Sequence, residues 1–215
     1  DCRRMGIEVV PPDINRSSRD YSVRDGRIVF GLGAISGCGN DAINAIVRER
    51  ETNGAFKSLF DLYDRVDPRI VNKKSIESLI KAGCFDSLGG NRPQLLEAMD
   101  KAAKSAQATA ADRLRGQGSL FDDDEVSQEE ELALATQGLP DIPDWEDREK
   151  AKHEKEVLGF YLTAHPLMKH EKVLDTFRTH TVDSALWAPD RTPVILGGMI
   201  SGIRTLKTKK TKAGR

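Results

Sequence analysis

The chain has 215 residues, 31% of them charged, and its 33 lysines and arginines nearly balance its 34 aspartates and glutamates. The net charge of −1 therefore does not by itself indicate nucleic-acid binding, which would depend on where the charges lie. Cys2, Cys38 and Cys84 have no CxxC spacing, which argues against a disulfide scaffold or a zinc ribbon and is typical of a reducing cytoplasm. No apolar run approaches the ~18 residues of a membrane span, and no signal peptide is evident.

The first predicted elements are a β-hairpin and a helix. Strand formers alternate in YSVRDGRIVFGL around Asp25-Gly26, a pair that favours a tight turn. Ile43, Ile46 and Val47 then recur at helical spacing. Gly54 is a suitable stop for this helix.

Three more helices are predicted before the acidic region. SLFDLYDRV has a capping box spanning Ser58–Asp61, and NKKSIESLIKAG begins at Asn72 and stops at Gly83. NRPQLLEAMDKAAKSAQATAADRL is a longer helix with Pro93 in its first turn. The four helices together predict one compact domain from about Ile28 to Met99.

The second half of the chain has irregular and regular stretches. From Gly116 to about Asp144, acids, glutamines and prolines leave no periodic apolar face, which predicts a flexible linker. WEDREKAKHEKEVLGFYL predicts an amphipathic helix, and another helix follows in HPLMKHEKVLDTF. TPVILGGMISGIRTL is apolar and β-branched with interspersed glycines, which predicts a curved first strand of a small barrel. The predicted fold class is mainly α with a small β-hairpin.

A segment between the β-hairpin and the first helix predicts a phosphate contact. Ile35 precedes the turn Gly37–Gly39, and Ala42 is the first inward position of the helix that follows. Glycine permits backbone conformations and close approaches that other residues resist. The amides of Gly37, Gly39, Asp41 and Ala42 would then form a nest at a helix start, as in a helix-hairpin-helix motif, and bind the DNA backbone without reading its sequence. The alternative is a glycine turn that only joins packed helices.

A second, degenerate copy of this motif is predicted in LIKAGCFDSLGGNRPQLL. Gly89, Gly90 and Asn91 would open the last helix of the domain. Arg92 would then reach a phosphate. A purely structural turn explains the same residues equally well.

The remaining polar residues have plainer interpretations. Lys73 and Lys74 are interpreted as a solvated face, and His165 as structural because no Ser/His/Asp or metal-ligand cluster accompanies it. Lys209 and Lys210 belong to a basic tail that is either an arm of a nucleic-acid-binding barrel or a disordered end. No carboxylate cluster is typical of a two-metal site, so no catalytic residue is predicted.

The chain resembles the alpha subunit of bacterial replicative DNA polymerase III in a series of segments, which are PPDIN, GRIVFGLGAISGCG, FKSLFDLYDRVD, LIKAGCFDSLGGNRPQLL, GQGSLF and EKEVLGFYLTAHPL. The resemblance covers nearly the whole chain, and the motifs are specific in combination. It implies the end of a fingers domain at 1–16, a tandem helix-hairpin-helix domain that binds duplex DNA at 17–114, and a linker at 115–144. A helical connector at 145–190 and the start of an OB-fold at 191–215 would follow.

The resemblance accounts for an apolar pair in the acidic region. The internal clamp-binding motif of the family is matched by Gln117, Ser119, Leu120 and Phe121. In that family the peptide docks into an apolar pocket on the sliding clamp, the beta subunit, and the glutamine sets its register. The alternative is that Leu120 and Phe121 pack on the last helix of the domain.

The resemblance carries further expectations. The first hairpin would contact primer–template duplex, and carbonyls of Gly33, Ile35 and Cys38 would hold a monovalent cation, K⁺ or Na⁺. The parent protein would be a cytoplasmic bacterial DNA-directed DNA polymerase, a nucleotidyltransferase with Mg²⁺ in an upstream palm domain, while this segment would hold no cofactor. Further partners would be other replicative holoenzyme subunits and single-stranded DNA at the OB-fold, without membrane contact. Cys38 departs from the aliphatic residue usual in the family.

Two alternatives remain. One is the mutagenic translesion paralogue of the same subunit, which the intact QGSLF disfavours. The other is a stand-alone helix-hairpin-helix repair or scaffold protein, which is disfavoured because both ends of the chain look like cuts within a longer protein.

Overall fold

A computed structural model of the chain describes residues 2, 5–114, 136, 138–162, 167, 170–199 and 203–205, with side chains of the 5–114 range described up to 110. The chain divides into two compact units, Asp1–His165 and Pro166–Arg215.

A small sheet opens the first unit. Strand β1 (Val9–Val10) pairs in parallel with β3 (Arg27–Val29), which also pairs antiparallel with β2 (Ser22–Arg24). Asp25 and Gly26 have φ values of 51° and 73°, the left-handed conformations that a type I′ turn needs at both central positions. The predicted hairpin is confirmed, whereas the short parallel strand was not foreseen from the sequence.

The helices of the first unit follow the sheet. A short 3₁₀ helix, Leu32–Ala34, precedes the first of them. The α-helices are α1 (Asn40–Asn53), α2 (Leu59–Arg65), α3 (Lys73–Lys81), α4 (Arg92–Leu114) and α5 (Asp147–Leu158).

Local signals at the helix ends act as predicted. The Ser58 hydroxyl accepts the Asp61 N–H at 3.1 Å, and the Asn72 side chain accepts the Ser75 N–H at 3.0 Å. Gly54 follows α1 with a φ of 84°, a conformation that costs glycine little. These caps explain why the helices begin and end where the sequence predicts.

The core of the first unit lies between the helices and extends beyond the predicted domain. Ile14, between β1 and β2, is fully buried, and Val157 and Leu158 of α5 join the same apolar cluster. The largest fully buried side chains, which define the centre of this core, are Phe30, Phe56, Phe85, Ile14, Leu32, Ile35, Ile43, Ile46, Leu59, Leu62, Ile76 and Leu79. The predicted limits of Ile28 and Met99 were too narrow, because periodicity identifies an apolar face but not the distant segment that covers it.

Residues 138–144, here called the strap, correct the predicted extent of the flexible linker. The strap packs along α4, where Lys101, Gln94 and Asn91 donate to the carbonyls of Gly138, Pro140 and Ile142 at 3.1, 2.8 and 2.8 Å. Its Leu139 side chain lies against the core. The strap is held because its backbone carbonyls accept hydrogen bonds from side chains of α4. Such bonds do not require a periodic apolar face, so the sequence pattern does not reveal them.

The second unit contains two short helices, α6 (Glu171–Phe177) and α7 (Val182–Leu186). The predicted connector at 145–190 is therefore divided, since α5 belongs to the first unit. Residues 192–199 and 203–205 contain no strand in the part that the structure describes, so the start of an OB-fold stays a prediction. Among the described helices, none has the length and apolar character needed to cross a bilayer.

Candidate nucleic-acid interface

The first predicted hairpin lies between the 3₁₀ helix and α1, anchored by the buried Ile35. Gly37 has a φ of 88°, and a Cβ at this position would lie 2.5 Å from the Ser78 hydroxyl oxygen on α3. Glycine is therefore required at Gly37 both by the backbone conformation and by the close approach of α3.

Gly39 needs glycine for neither reason. Its φ is −71°, and a Cβ built there would meet no heavy atom within 4 Å. The residue is exposed at the start of α1. The missing side chain leaves the backbone of the turn open to an approach from outside the chain.

The start of α1 carries backbone amides next to Gly39. Gly39 is the N-cap residue, and no side chain caps the helix among the described residues. The first N–H groups of a helix have no partner inside it, and they lie at the positive end of its dipole. Ala42 is 1% exposed and fixes the helix start against the core, while Asp41 is exposed in the first turn. The arrangement suits a single anionic group.

Lys74 is a part of this region that the sequence reading assigned to a solvated face. Its Cε would lie 3.8 Å from a Cβ at Gly37, so its exposed side chain runs beside the hairpin. The neighbouring Lys73 instead pairs with Asp100 at 2.5 Å. The sequence does not distinguish the surroundings of Lys73 and Lys74. Lys74 lies beside the hairpin only because α3 packs against the turn at Gly37.

Cys38 fills space under the hairpin. Its thiol donates to the Ser75 carbonyl at 3.4 Å, and burial raises its pKa to about 12. The interpretation of Cys38 as a small apolar filler is consistent with this position. The Ile35 carbonyl accepts the Cys38 N–H at 3.4 Å and Gly33 is exposed, so a cation at the Gly33, Ile35 and Cys38 carbonyls stays a prediction.

The second predicted hairpin is bonded to other parts of the chain at its helix start. Gly89 and Gly90 have φ values of 85° and 76°. Asn91 and Gln94 exchange backbone-to-side-chain hydrogen bonds at 2.9 Å, which caps α4. The Asn91 amide also holds the strap, so neither its side chain nor its N–H is available to DNA. Gly89 and Gly90 remain predictions as backbone contacts.

The prediction that Arg92 contacts a phosphate is wrong. Its guanidinium is buried and bonds Asp86 at 2.7 and 3.0 Å and Glu154 of α5 at 3.1 Å. Burial acts to lower the pKa of Arg92, but the paired carboxylates outweigh burial and raise it. A Cβ on Gly83 would overlap this guanidinium, so Gly83 is needed to let Arg92 approach. The guanidinium of Arg92 therefore connects the second hairpin to α5.

Helix α5 contacts both hairpins. The Val157 carbonyl accepts the Ser36 N–H of the first hairpin at 2.8 Å. Glu154 and Glu156 reach Arg92 and Lys81 beside the second hairpin at 3.1 and 3.3 Å. The predicted connector helix is therefore a part of the hairpin domain.

Several predicted site residues lie outside the described residues. These are Gln117, Ser119, Leu120 and Phe121 of the clamp motif, and Lys209 and Lys210 of the basic tail.

Comparisons with known proteins agree with the hairpin geometry. A family model described as a helix-hairpin-helix motif matches residues 6–95, a range that includes both hairpins. DNA polymerase III subunit alpha of Deinococcus radiodurans is 40% identical over 100% of this chain and 16% of the relative. The subunits of Borreliella burgdorferi and Vibrio cholerae are 35% and 36% identical over 99% and 98% of the chain, and 18% of each relative.

The chain is homologous to a segment of DNA polymerase III subunit alpha. It spans only 16% to 18% of the length of these relatives. The match to a helix-hairpin-helix motif and the similarity to this subunit both support the DNA binding that is proposed below. The mainly helical fold with a three-stranded sheet also agrees with the predicted fold class.

Proposed function

We propose that this chain is a non-catalytic segment of a replicative DNA polymerase alpha subunit, which binds the duplex backbone through its first hairpin and tethers the polymerase to the sliding clamp. The nucleotide transfer itself would belong to a palm domain elsewhere in the parent protein, with Mg²⁺ bound there. Single-stranded DNA, other holoenzyme subunits and a hairpin K⁺ or Na⁺ are further proposed partners of the region.

The observation that carries DNA binding is Gly39. Nothing within the described part of the chain explains a glycine there, whereas an approaching phosphate would need the space that a side chain would fill. The uncapped amides of α1 supply partial positive charge at that space, and the Lys74 side chain, which runs beside Gly37, brings a full positive charge to the same hairpin. Such contacts bind any sequence, as processive synthesis requires.

The test replaces Gly39 with alanine. A Cβ at Gly39 meets nothing inside the protein, so Gly39→Ala should fold normally. We expect it to weaken binding of a fluorescein-labelled 20-base-pair duplex about tenfold, the equivalent of ~1.4 kcal/mol, in fluorescence anisotropy. Lys74→Gln should reduce the slope of log affinity against log salt by about 0.9.

Lys104→Gln on α4 is the matched control, because this lysine is also exposed but belongs to neither of the helices, α1 and α3, that border the first hairpin. It should leave the affinity nearly unchanged. Duplex binding that is unchanged in both Gly39→Ala and Lys74→Gln would refute the hairpin contact.

The clamp contact is proposed from the segment Gln117–Phe121. Burial of Leu120 and Phe121 in an apolar pocket would contribute roughly 1.5–3 kcal/mol each before the cost of ordering the peptide. We therefore expect binding to purified clamp in the micromolar range, about −8 kcal/mol. The double variant Leu120→Ala/Phe121→Ala should abolish it in isothermal titration calorimetry.

The control is Leu132→Ala/Leu134→Ala, which removes an apolar pair from the same acidic region. Equal loss in both variants would indicate a nonspecific apolar contact, and binding unaffected by the first variant would place the contact elsewhere.

A further inference from the structure

A groove of about 480 Å³ lies in the first unit, away from the turn of the first hairpin. Three parts of the chain border it: the segment around Pro11 to Arg16, the tip of the β-hairpin, and residues 83–87 of the second hairpin. Val10, Pro12 and Val29 line its apolar floor.

Three arginines from separate positions converge on this groove. Arg16, Arg24 and Arg27 all line it, and all are exposed. Arg24 and Arg27 are register partners across the β-hairpin, so their backbone positions are set by the sheet. Arg27 approaches Glu8 only at 3.9 Å, and Arg16 and Arg24 form no ion pair within the described part of the chain.

Three aspartates also line the groove, and two of them accept hydrogen bonds from neighbouring groups. Asp13 accepts the N–H groups of Asn15 and Arg16 at 2.8 and 3.0 Å. Asp86 bonds the buried Arg92. Asp25 stays exposed at the turn tip. The guanidiniums are therefore the charged groups with free donors on the groove.

Hydrogen bonds from two other arginines hold the groove walls in place. Arg50 donates to the carbonyls of Ile14 and Ser17 at 2.6 and 2.5 Å and so holds the loop that carries Arg16. The Arg92 pairs hold the loop at residues 83–87. A planar guanidinium can donate two parallel N–H bonds to the oxygens of a phosphate. A lysine ammonium at the same place would act only as a point charge.

We propose that this groove binds a phosphate of the DNA backbone, as a second contact beside the first hairpin. The inference rests on the proposed function, since it takes the same duplex as ligand. Lys74 lies at the beginning of α3, and Gly83, which borders the groove, follows the end of the same helix, so a single helix of nine residues connects the first hairpin with the groove. The second hairpin thereby serves DNA binding through its loop wall and not through Arg92.

The experiment compares two triple variants of the full chain. The first is Arg16→Gln/Arg24→Gln/Arg27→Gln, which keeps the side-chain stems and removes the cations. The second is Lys104→Gln/Arg148→Gln/Lys152→Gln, which removes three exposed cations from α4 and α5 and matches the change in net charge. Both are measured with the labelled 20-base-pair duplex across a salt series, beside Gly39→Ala.

We expect the groove variant to bind about tenfold more weakly and to have a salt slope smaller by about 0.9, the value for one lost phosphate. The control triple should change affinity much less. An equal loss in both triples would show that only net charge matters and would overturn the groove site.

The outcomes separate this inference from the proposed hairpin contact. Loss of binding in Gly39→Ala alone would keep the hairpin and refute the groove. Loss in the groove variant, with unchanged binding by both Gly39→Ala and Lys74→Gln, would keep the groove and refute the hairpin contact. No measurable duplex binding by the unaltered chain would overturn both.

Discussion

The two hairpins of this chain place similar glycine turns in opposite surroundings. The first leaves Gly39 exposed, with open space where a side chain would be. The second directs Gly83 toward a buried guanidinium, and the strap covers the helix start at Asn91. The first turn therefore leaves its backbone open to an external ligand, whereas the second uses Arg92 and Asn91 to hold other parts of the chain.

This difference shows that a glycine motif indicates which backbone conformations are possible. It does not indicate whether the exposed amides bind an external ligand or another part of the chain. Around Gly37 and Gly39 the adjacent helix stays uncapped among the described residues. At the second turn Asp86 and Glu154 supply the anionic groups that a phosphate would otherwise supply. At the second hairpin, internal carboxylates therefore already pair with the arginine that an external anion would need.

The largest expected effect follows from breaking the buried joint. Arg92→Ala leaves Glu154, which is fully buried, without this ion pair. We expect a loss of about 3–5 kcal/mol in the free energy of unfolding, the usual cost of removing one member of a buried pair. Urea denaturation monitored by circular dichroism measures it.

Arg69→Ala is the matched control, because Arg69 pairs with Asp67 at the surface at 2.8 Å. Its stability should hardly change, since exposed ion pairs contribute little. Similar small losses in both variants would mean that α5 is not held by the Arg92 pairs.

A smaller effect is expected from adding one methyl group to the second turn. Gly83→Ala forces a left-handed conformation on alanine, and its Cβ overlaps the Arg92 guanidinium. We expect a destabilisation of about 2–4 kcal/mol from backbone strain and overpacking together. Thermal unfolding compares it with Gly39→Ala, which should keep the midpoint of the unaltered chain. If the two variants melt alike, the two turns do not differ in their packing.

The smallest effect is chemical and leaves stability unchanged. Burial raises the pKa of Cys38 to about 12 and that of Cys84 well above its ordinary value. At pH 8 both thiols therefore stay protonated and unreactive, because the thiolate is the nucleophile. Titration with Ellman's reagent at pH 8 should label Cys2 rapidly and the other two only in denaturant. Cys2→Ser is the control, and rapid labelling in that variant would show that the hairpin cores open readily.

Much of the local structure was predictable because its causes are local. Asp25-Gly26 specifies a tight turn, Ser58 and Asn72 cap their helices, and Gly54 ends α1, each through contacts spanning a few residues. The resemblance to the polymerase subunit also came from local motifs, and the relatives confirm it.

The role of Arg92 was not predictable in the same way. Its partner Glu154 is 62 residues away in sequence, on a helix that the sequence pattern places in a separate connector. The strap was read as flexible because its hydrogen bonds run from its carbonyls to side chains of α4, and such bonds produce no apolar period. Lys74 was likewise assigned to solvent because the turn it borders comes from another part of the chain.

The sequence by itself determined the hairpin of the sheet, the helices with their caps, the glycine turns and the family resemblance, since each depends on neighbouring residues. Only the tertiary structure decided which turn is open and which is closed. The reason is physical: whether an arginine or an amide can reach an external phosphate depends on whether a distant segment has already buried or paired it.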